Sequence, residues 1–232
     1  MEGTENARIT IFAGHFGSGK TNLAINYALW LKERYEEVLL CDLDIVNPYF
    51  RTADARDKLQ KKGVELISSR FANTNVDAPA LPAETRQIFD RPDAVSVVDL
   101  GGDDRGALAL GRYAKPLREG NEYEMLLVVN PYRPLTGTKD DLDEIVHEIE
   151  AASRIAFTGI VNNANLGPET TLGDIEDCLS FIRESSQRLK LPLKMTSIRR
   201  ALLAEKGEEL QRIHQMGEVF PIDLFEKSSW KL

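Results

Sequence analysis

The residues with the clearest chemistry are Gly14-His15-Phe16-Gly17-Ser18-Gly19-Lys20-Thr21, which fit the pattern GxxxxGK[ST]. Glycines at these positions let the backbone curl so that successive N–H groups point at one centre, and a helix starting behind them adds positive potential there. A loop of this kind holds polyphosphate. Lys20 is placed to bridge the outer phosphates and Thr21 to put its hydroxyl on Mg²⁺. The whole run from Gly14 to Thr21, with Asn22 just beyond it, is the expected nucleotide cradle.

A second set is acidic. Asp42 and Asp44 lie two apart at the end of Val38-Leu39-Leu40-Cys41-Asp42-Leu43-Asp44, and Asp99 ends the run from Val95 before Leu100-Gly101-Gly102. On an extended chain Asp42 and Asp44 share a face, so one suits the orienting of an attacking water while the other holds the shell of a metal. Ligands of open parallel sheets sit beyond the carboxyl ends of the strands, so these carboxylates should converge on the phosphate loop. Mg²⁺ favours carboxylates and retained waters. Thr21, Asp42 and Asp99 are the expected metal ligands, and Lys20, Asp42 and Asp44 the expected catalytic groups. Arg51 and Arg105 follow Asp44 and Asp99 closely enough to stabilise transition-state charge, and Arg105 is counted with the catalytic set.

The elements that must position these residues alternate along the chain. Short runs rich in β-branched residues predict strands at Ile9–Ala13, Val38–Asp42, Val64–Ile67, Val95–Leu100, Met125–Asn130, Ala156–Asn162 and Leu193–Thr196. Between them, helices are predicted at Lys20–Arg34, Asp54–Lys62, Pro82–Phe89, Gly106–Arg118, Lys139–Ala152, Pro168–Leu189 and Arg200–Gln215. Such alternation implies an α/β fold, a three-layer, doubly wound, mostly parallel sheet. With no linker or repeat in view, residues 1–232 are expected to form one nucleotide-binding domain. The long Ser68 to Asp93 connection, with Pro79, Pro82 and Pro92, is expected to be functional or mobile.

Composition narrows the class. In 232 residues, 29 Lys and Arg against 37 Asp and Glu leave a net charge of −8, which argues against a broad basic face for duplex DNA. Cys41 and Cys178 are far apart and form no CxxC, which points to a reducing, cytoplasmic setting without a zinc ribbon or disulfide framework. No run approaches the roughly 20 apolar residues of a membrane span. Neither nucleic acid nor membrane is expected as a partner.

Together GHFGSGKT, DLDIVNPYFR and VVDLGGDDRG resemble the P-loop ATPases of the MinD, ParA and CobQ/CobB group, which includes dethiobiotin synthetase and the nitrogenase iron protein. The resemblance runs from the first strand to about Asn165. It implies a P-loop NTPase fold, ATP and Mg²⁺ as ligands, a homodimer, and a DxxG after Asp99 that senses the nucleotide. It also implies that an asparagine after the Phe157 to Val161 run meets adenine, with Asn163 the closer match and Asn162 second. No NKxD or TKxD follows that run, which favours ATP over GTP. One departure stands out. Where many members carry a second lysine reaching the partner's nucleotide, this chain has His15.

The leading expectation is a magnesium-dependent ATPase that switches conformation on a protein client. Two alternatives stand beside it. One is an ATP-dependent ligase or kinase for a small carboxylate held by Arg70 and Arg86 in the long loop. The other is a nucleotide-binding module without turnover.

Overall fold

The computed structural model describes residues 7–43, 53–68, 83–102, 104–120, 123–205 and 218–225. The strands among them are β1 (Ile9–Ala13), β2 (Val38–Leu43), β3 (Glu65–Ser68), β4 (Val95–Leu100), β5 (Tyr123–Val129), β6 (Gly159–Asn162), β7 (Leu193–Arg199) and β8 (Glu218–Ile222). They form one sheet in the order β3-β2-β4-β1-β5-β6-β7-β8, with every neighbouring pair parallel. The chain builds first to one side of β1 and then, from β5 onward, to the other. The end of β1 is therefore a switch point, the place where doubly wound sheets take ligands.

The strands read as continuous apolar runs because both faces of the sheet are covered. In β1, Ile9, Ile11 and Ala13 enter one core while Phe12 enters the other. On the Phe12 side lie α1 (Lys20–Lys32), through Leu23, Ala24 and Leu31, and α2 (Ala53–Lys61), through Leu59. Against the opposite face pack α3 (Gln87–Asp90), α4 (Asp104–Gly111), α5 (Ala114–Gly120), α6 (Lys139–Ser153) and α8 (Leu179–Leu189). A third, smaller cluster joins α7 (Leu172–Asp177) and α9 (Arg200–Glu205) to Ile198 of β7. This is the three-layer arrangement that the alternating pattern predicts.

Several elements differ from expectation for local reasons. The helix predicted over Gly106–Arg118 is divided into α4 and α5 by a turn at residues 112–113. Pro168 does not open the next predicted helix but lies in a short 3-10 turn, Gly167–Glu169. Thr171 caps α7 instead, in a reciprocal capping box with Asp174 that satisfies two backbone N–H groups a proline ring cannot. Among the described residues of the long connection, Ala83–Asp90 forms a 3-10 turn running into α3, and residues 69–82 lie outside the described residues. β8 has no counterpart in the sequence reading, because Pro221 argues against a strand. It pairs with β7 at the end of the strand order, an edge position where a missing N–H is tolerated. Of the helix predicted over Arg200–Gln215, only α9 falls within the described residues.

Candidate functional site

The site is built around the start of α1. Gly19 is its N-cap, in the left-handed region at φ 86°, and no side chain caps the helix or places an acid in its first turn. By contrast, α6 and α7 each begin with a complete capping box, Thr138 with Asp141 and Thr171 with Asp174. Gly19 itself offers no side-chain acceptor to the first N–H groups of α1, whose dipole end faces the loop. Lys20 is only 4% exposed, and the loop closes on itself through Ser18 N donating to His15 O at 3.1 Å.

The acidic residues converge as their strand ends require. Asp42 of β2 and Asp99 of β4 are register partners on adjacent strands and share the parity that faces α1. Both are buried, and Thr21 Oγ1 donates to Asp99 Oδ2 at 2.6 Å across 78 residues of sequence. A hydroxyl and two carboxylates are hard oxygen donors of the kind Mg²⁺ takes, so Thr21, Asp42 and Asp99 fit that ion. Among the described residues no group of three or more His, Cys, Asp or Glu forms a cage. A cation here would draw its remaining oxygens from phosphate and water.

Gly102 follows β4 and lies directly against the loop. A Cβ on it would sit 2.6 Å from Gly14 O and 2.9 Å from Phe16 N, so only glycine permits this approach. Beyond it, Gly106 packs as closely on Leu43 O at the end of β2. The loop, the end of β4 and the start of α4 therefore touch backbone to backbone.

The asparagines after β6 are held by protein partners. Asn163 is 2% exposed, its Nδ2 donates to Ser18 O at 2.6 Å, and its Oδ1 accepts from Ser197 Oγ of β7. Its carboxamide links the loop to β7 through both of its polar atoms. Asn162 is buried too, its Oδ1 accepting from Ala164 N at 3.1 Å. Neither presents an open edge to a base in this structure. Asn22 is likewise committed, its Nδ2 donating to Asp223 O and its Oδ1 accepting from Phe225 N, which ties α1 to the chain after β8.

A residue missed by sequence reasoning comes from the turn after β5. Asn130, fully buried, accepts from Tyr132 N and Asn165 N with its Oδ1 and donates through Nδ2 to Asn165 O. This holds the segment Pro131 to Pro134 against the loop, with Arg133 alongside Gly17. Its only sequence signal is an arginine between two prolines at a strand end.

The remaining candidates are placed as follows. His15 is half-buried, its Nδ1 3.4 Å from Phe16 O, and Phe16 projects into solvent at 65% exposure. Arg105 is exposed on the first turn of α4. Asp44, Arg51 and Arg70 lie outside the described residues. Arg86 pairs with Asp90 at 3.3 Å on an exposed surface. Burial pushes the Cys41 thiol well above its usual range, so it is no nucleophile at neutral pH.

No known family model matches the chain. A curated GTP 3′,8-cyclase of Acidothermus cellulolyticus is 30% identical over 115 residues, covering 47% of this chain and 31% of that protein. Among solved structures, the cell division protein FtsY of Thermotoga maritima superposes with a TM-score of 0.53 at 20% identity, covering 84% of this chain and 63% of that one. FtsY of Mycoplasma mycoides gives 0.51 at 21%, covering 85% and 61%. Chloroplast FtsY of Physcomitrella patens gives 0.50 at 19%, covering 84% and 60%. The chain thus spans about six tenths of these structures and three tenths of the curated relative. At such identity the likeness shows the fold, the α/β sheet of P-loop NTPases. Among the described residues no helix is long and apolar enough to cross a membrane.

Proposed function

We propose that this chain is a magnesium-dependent nucleoside triphosphatase of the MinD, ParA and CobQ/CobB kind, a nucleotide-driven switch acting on a protein client in the cytoplasm. A homodimer and one nucleotide-binding domain over residues 1–232 belong to the same reading. The observation that carries it is the uncapped start of α1, with Lys20 in the loop and Thr21 hydrogen-bonded to Asp99. That arrangement puts the N–H groups of a helix start, a cation and hard oxygens in one crevice, which is what a metal-bound triphosphate needs.

In this reading the loop N–H groups and Lys20 bind and orient the phosphates. Thr21, Asp42 and Asp99 hold the metal, which when bound offsets phosphate charge. Asp44 orients the attacking water. The backbone contact of Gly102 with Gly14 and Phe16 supports a switch, because a ligand that reshaped the loop would change what Gly102 packs against.

ATP is the proposed nucleotide. Asn163-Ala164-Asn165-Leu166 lacks the lysine and aspartate of the NKxD pattern, which supports adenine over guanine. GTP is the rival to be measured beside it, since the curated relative is named for a guanine nucleotide. Asp44→Asn tests the turnover step. Phosphate release is expected to fall about 100-fold or more with Mg·ATP affinity kept within a few-fold, the signature of a group used in the transition state. Unchanged release would remove Asp44 from the mechanism, and no release from the wild-type protein would leave a binding module without turnover.

A further inference from the structure

We propose that Arg133 is a phosphate-contacting residue of this site, a cation carried to the face of the phosphate loop by the turn after β5. The inference rests on the nucleotide reading above and adds to it a residue outside the loop motif.

Three observations carry it. The first is proximity: a Cβ on Gly17 would lie 3.6 Å from Arg133 Cδ, 3.7 Å from Nε and 3.9 Å from Cγ. The stem of the arginine therefore runs along the loop at Gly17, which holds φ 83° and has no side chain to push it away. The second is placement. Arg133 N donates to Asn130 O at 3.0 Å, Thr136 Oγ1 donates to the same oxygen at 2.5 Å, and Pro131 and Pro134 stiffen the backbone on either side. The turn is thus built in advance, so little backbone freedom is lost when the side chain engages a ligand.

The third is the missing partner. Arg86, Arg91, Arg188 and Arg200 pair with carboxylates, whereas Arg133, like Arg105, Arg154 and Arg183, has no carboxylate partner among the described residues. Arg133 is exposed and its guanidinium makes no ion pair or hydrogen bond among the described residues. A guanidinium left without a carboxylate, beside a loop whose donors already suit an anion, is matched to phosphate oxygens through its charge.

The test is titration of wild-type protein, Arg133→Ala, Arg133→Gln and Arg133→Lys with Mg·ATP and, separately, with inorganic tripolyphosphate. Ala and Gln are expected to weaken both ligands by about tenfold, the size of one exposed charge-assisted contact. Lys should stay within about threefold of wild type, the gap between wild type and Ala should narrow as salt is raised, and the unliganded melting temperature should not move. Equal affinity in all four proteins would overturn the proposal, and so would equal losses in Lys and Ala, since packing on Gly17 and not charge would then be at work. A wild-type protein that binds neither ligand would instead overturn the nucleotide reading, and this inference with it.

Discussion

Lys20→Ala is expected to weaken Mg·ATP binding by about 100-fold, close to 3 kcal/mol. The lysine sits in the first turn of α1 and is 4% exposed, so a phosphate bound beside it would meet its ammonium in a crevice where solvent screens little. Charge-assisted hydrogen bonds are worth about 1.5–3 kcal/mol each, and a lysine between two phosphates makes at least two. The loop N–H groups and Thr21 remain in the variant, so some affinity should survive. A fluorescent ATP analogue titrated into both proteins reads the difference directly, and an unchanged dissociation constant would mean that Lys20 does not face the ligand.

Asn163→Ala should have the largest effect on stability, about 2–5 kcal/mol. Removing the carboxamide leaves Ser18 O and Ser197 Oγ buried with one fewer partner each, at roughly 1–3 kcal/mol per group. For a chain of this size each kcal/mol moves the melting temperature by about 2–4 °C, so a drop of roughly 5–15 °C is expected. Nucleotide affinity should fall as well, because Ser18 is part of the loop. Asn163→Asp separates bracing from bulk: it keeps the shape and the acceptor for Ser197 but sets a carboxylate oxygen against Ser18 O. It should be at least as damaging as Ala. If Asp behaves like wild type and only base preference changes, Asn163 reads the base and does not brace the loop.

Much of the site was legible because short-range signals determine it. Strand, GxxxxGK[ST] and helix in that order position Lys20 and Thr21, and the parallel pattern brings the ends of β2 and β4 beside them, so Asp42 and Asp99 could be placed before any coordinates. What escaped depends on where a side chain spends its hydrogen bonds. Asn22, Asn162 and Asn163 have the right type and spacing for a ligand, yet sequence cannot say that Asn22 and Asn163 bond Asp223, Ser18 and Ser197 or that Asn162 Oδ1 accepts from Ala164 N. The same holds for Arg133, whose nearness to Gly17 spans two strands of the sheet order. In the fold, the errors lie at Pro168 and Pro221. A capping box three residues on outweighed the first, and an edge position tolerated the second.

The central claim is that the crevice at the start of α1 binds a metal-bound nucleoside triphosphate. Isothermal titration of the wild-type chain with Mg·ATP, with Mg·GTP run in parallel and each repeated in excess EDTA, tests it most directly. One site per chain is expected, with micromolar or tighter affinity for Mg·ATP, weaker binding of Mg·GTP, and a marked loss without Mg²⁺. Absence of binding to either nucleotide at millimolar concentration, by a protein that is folded in the same buffer, would contradict it.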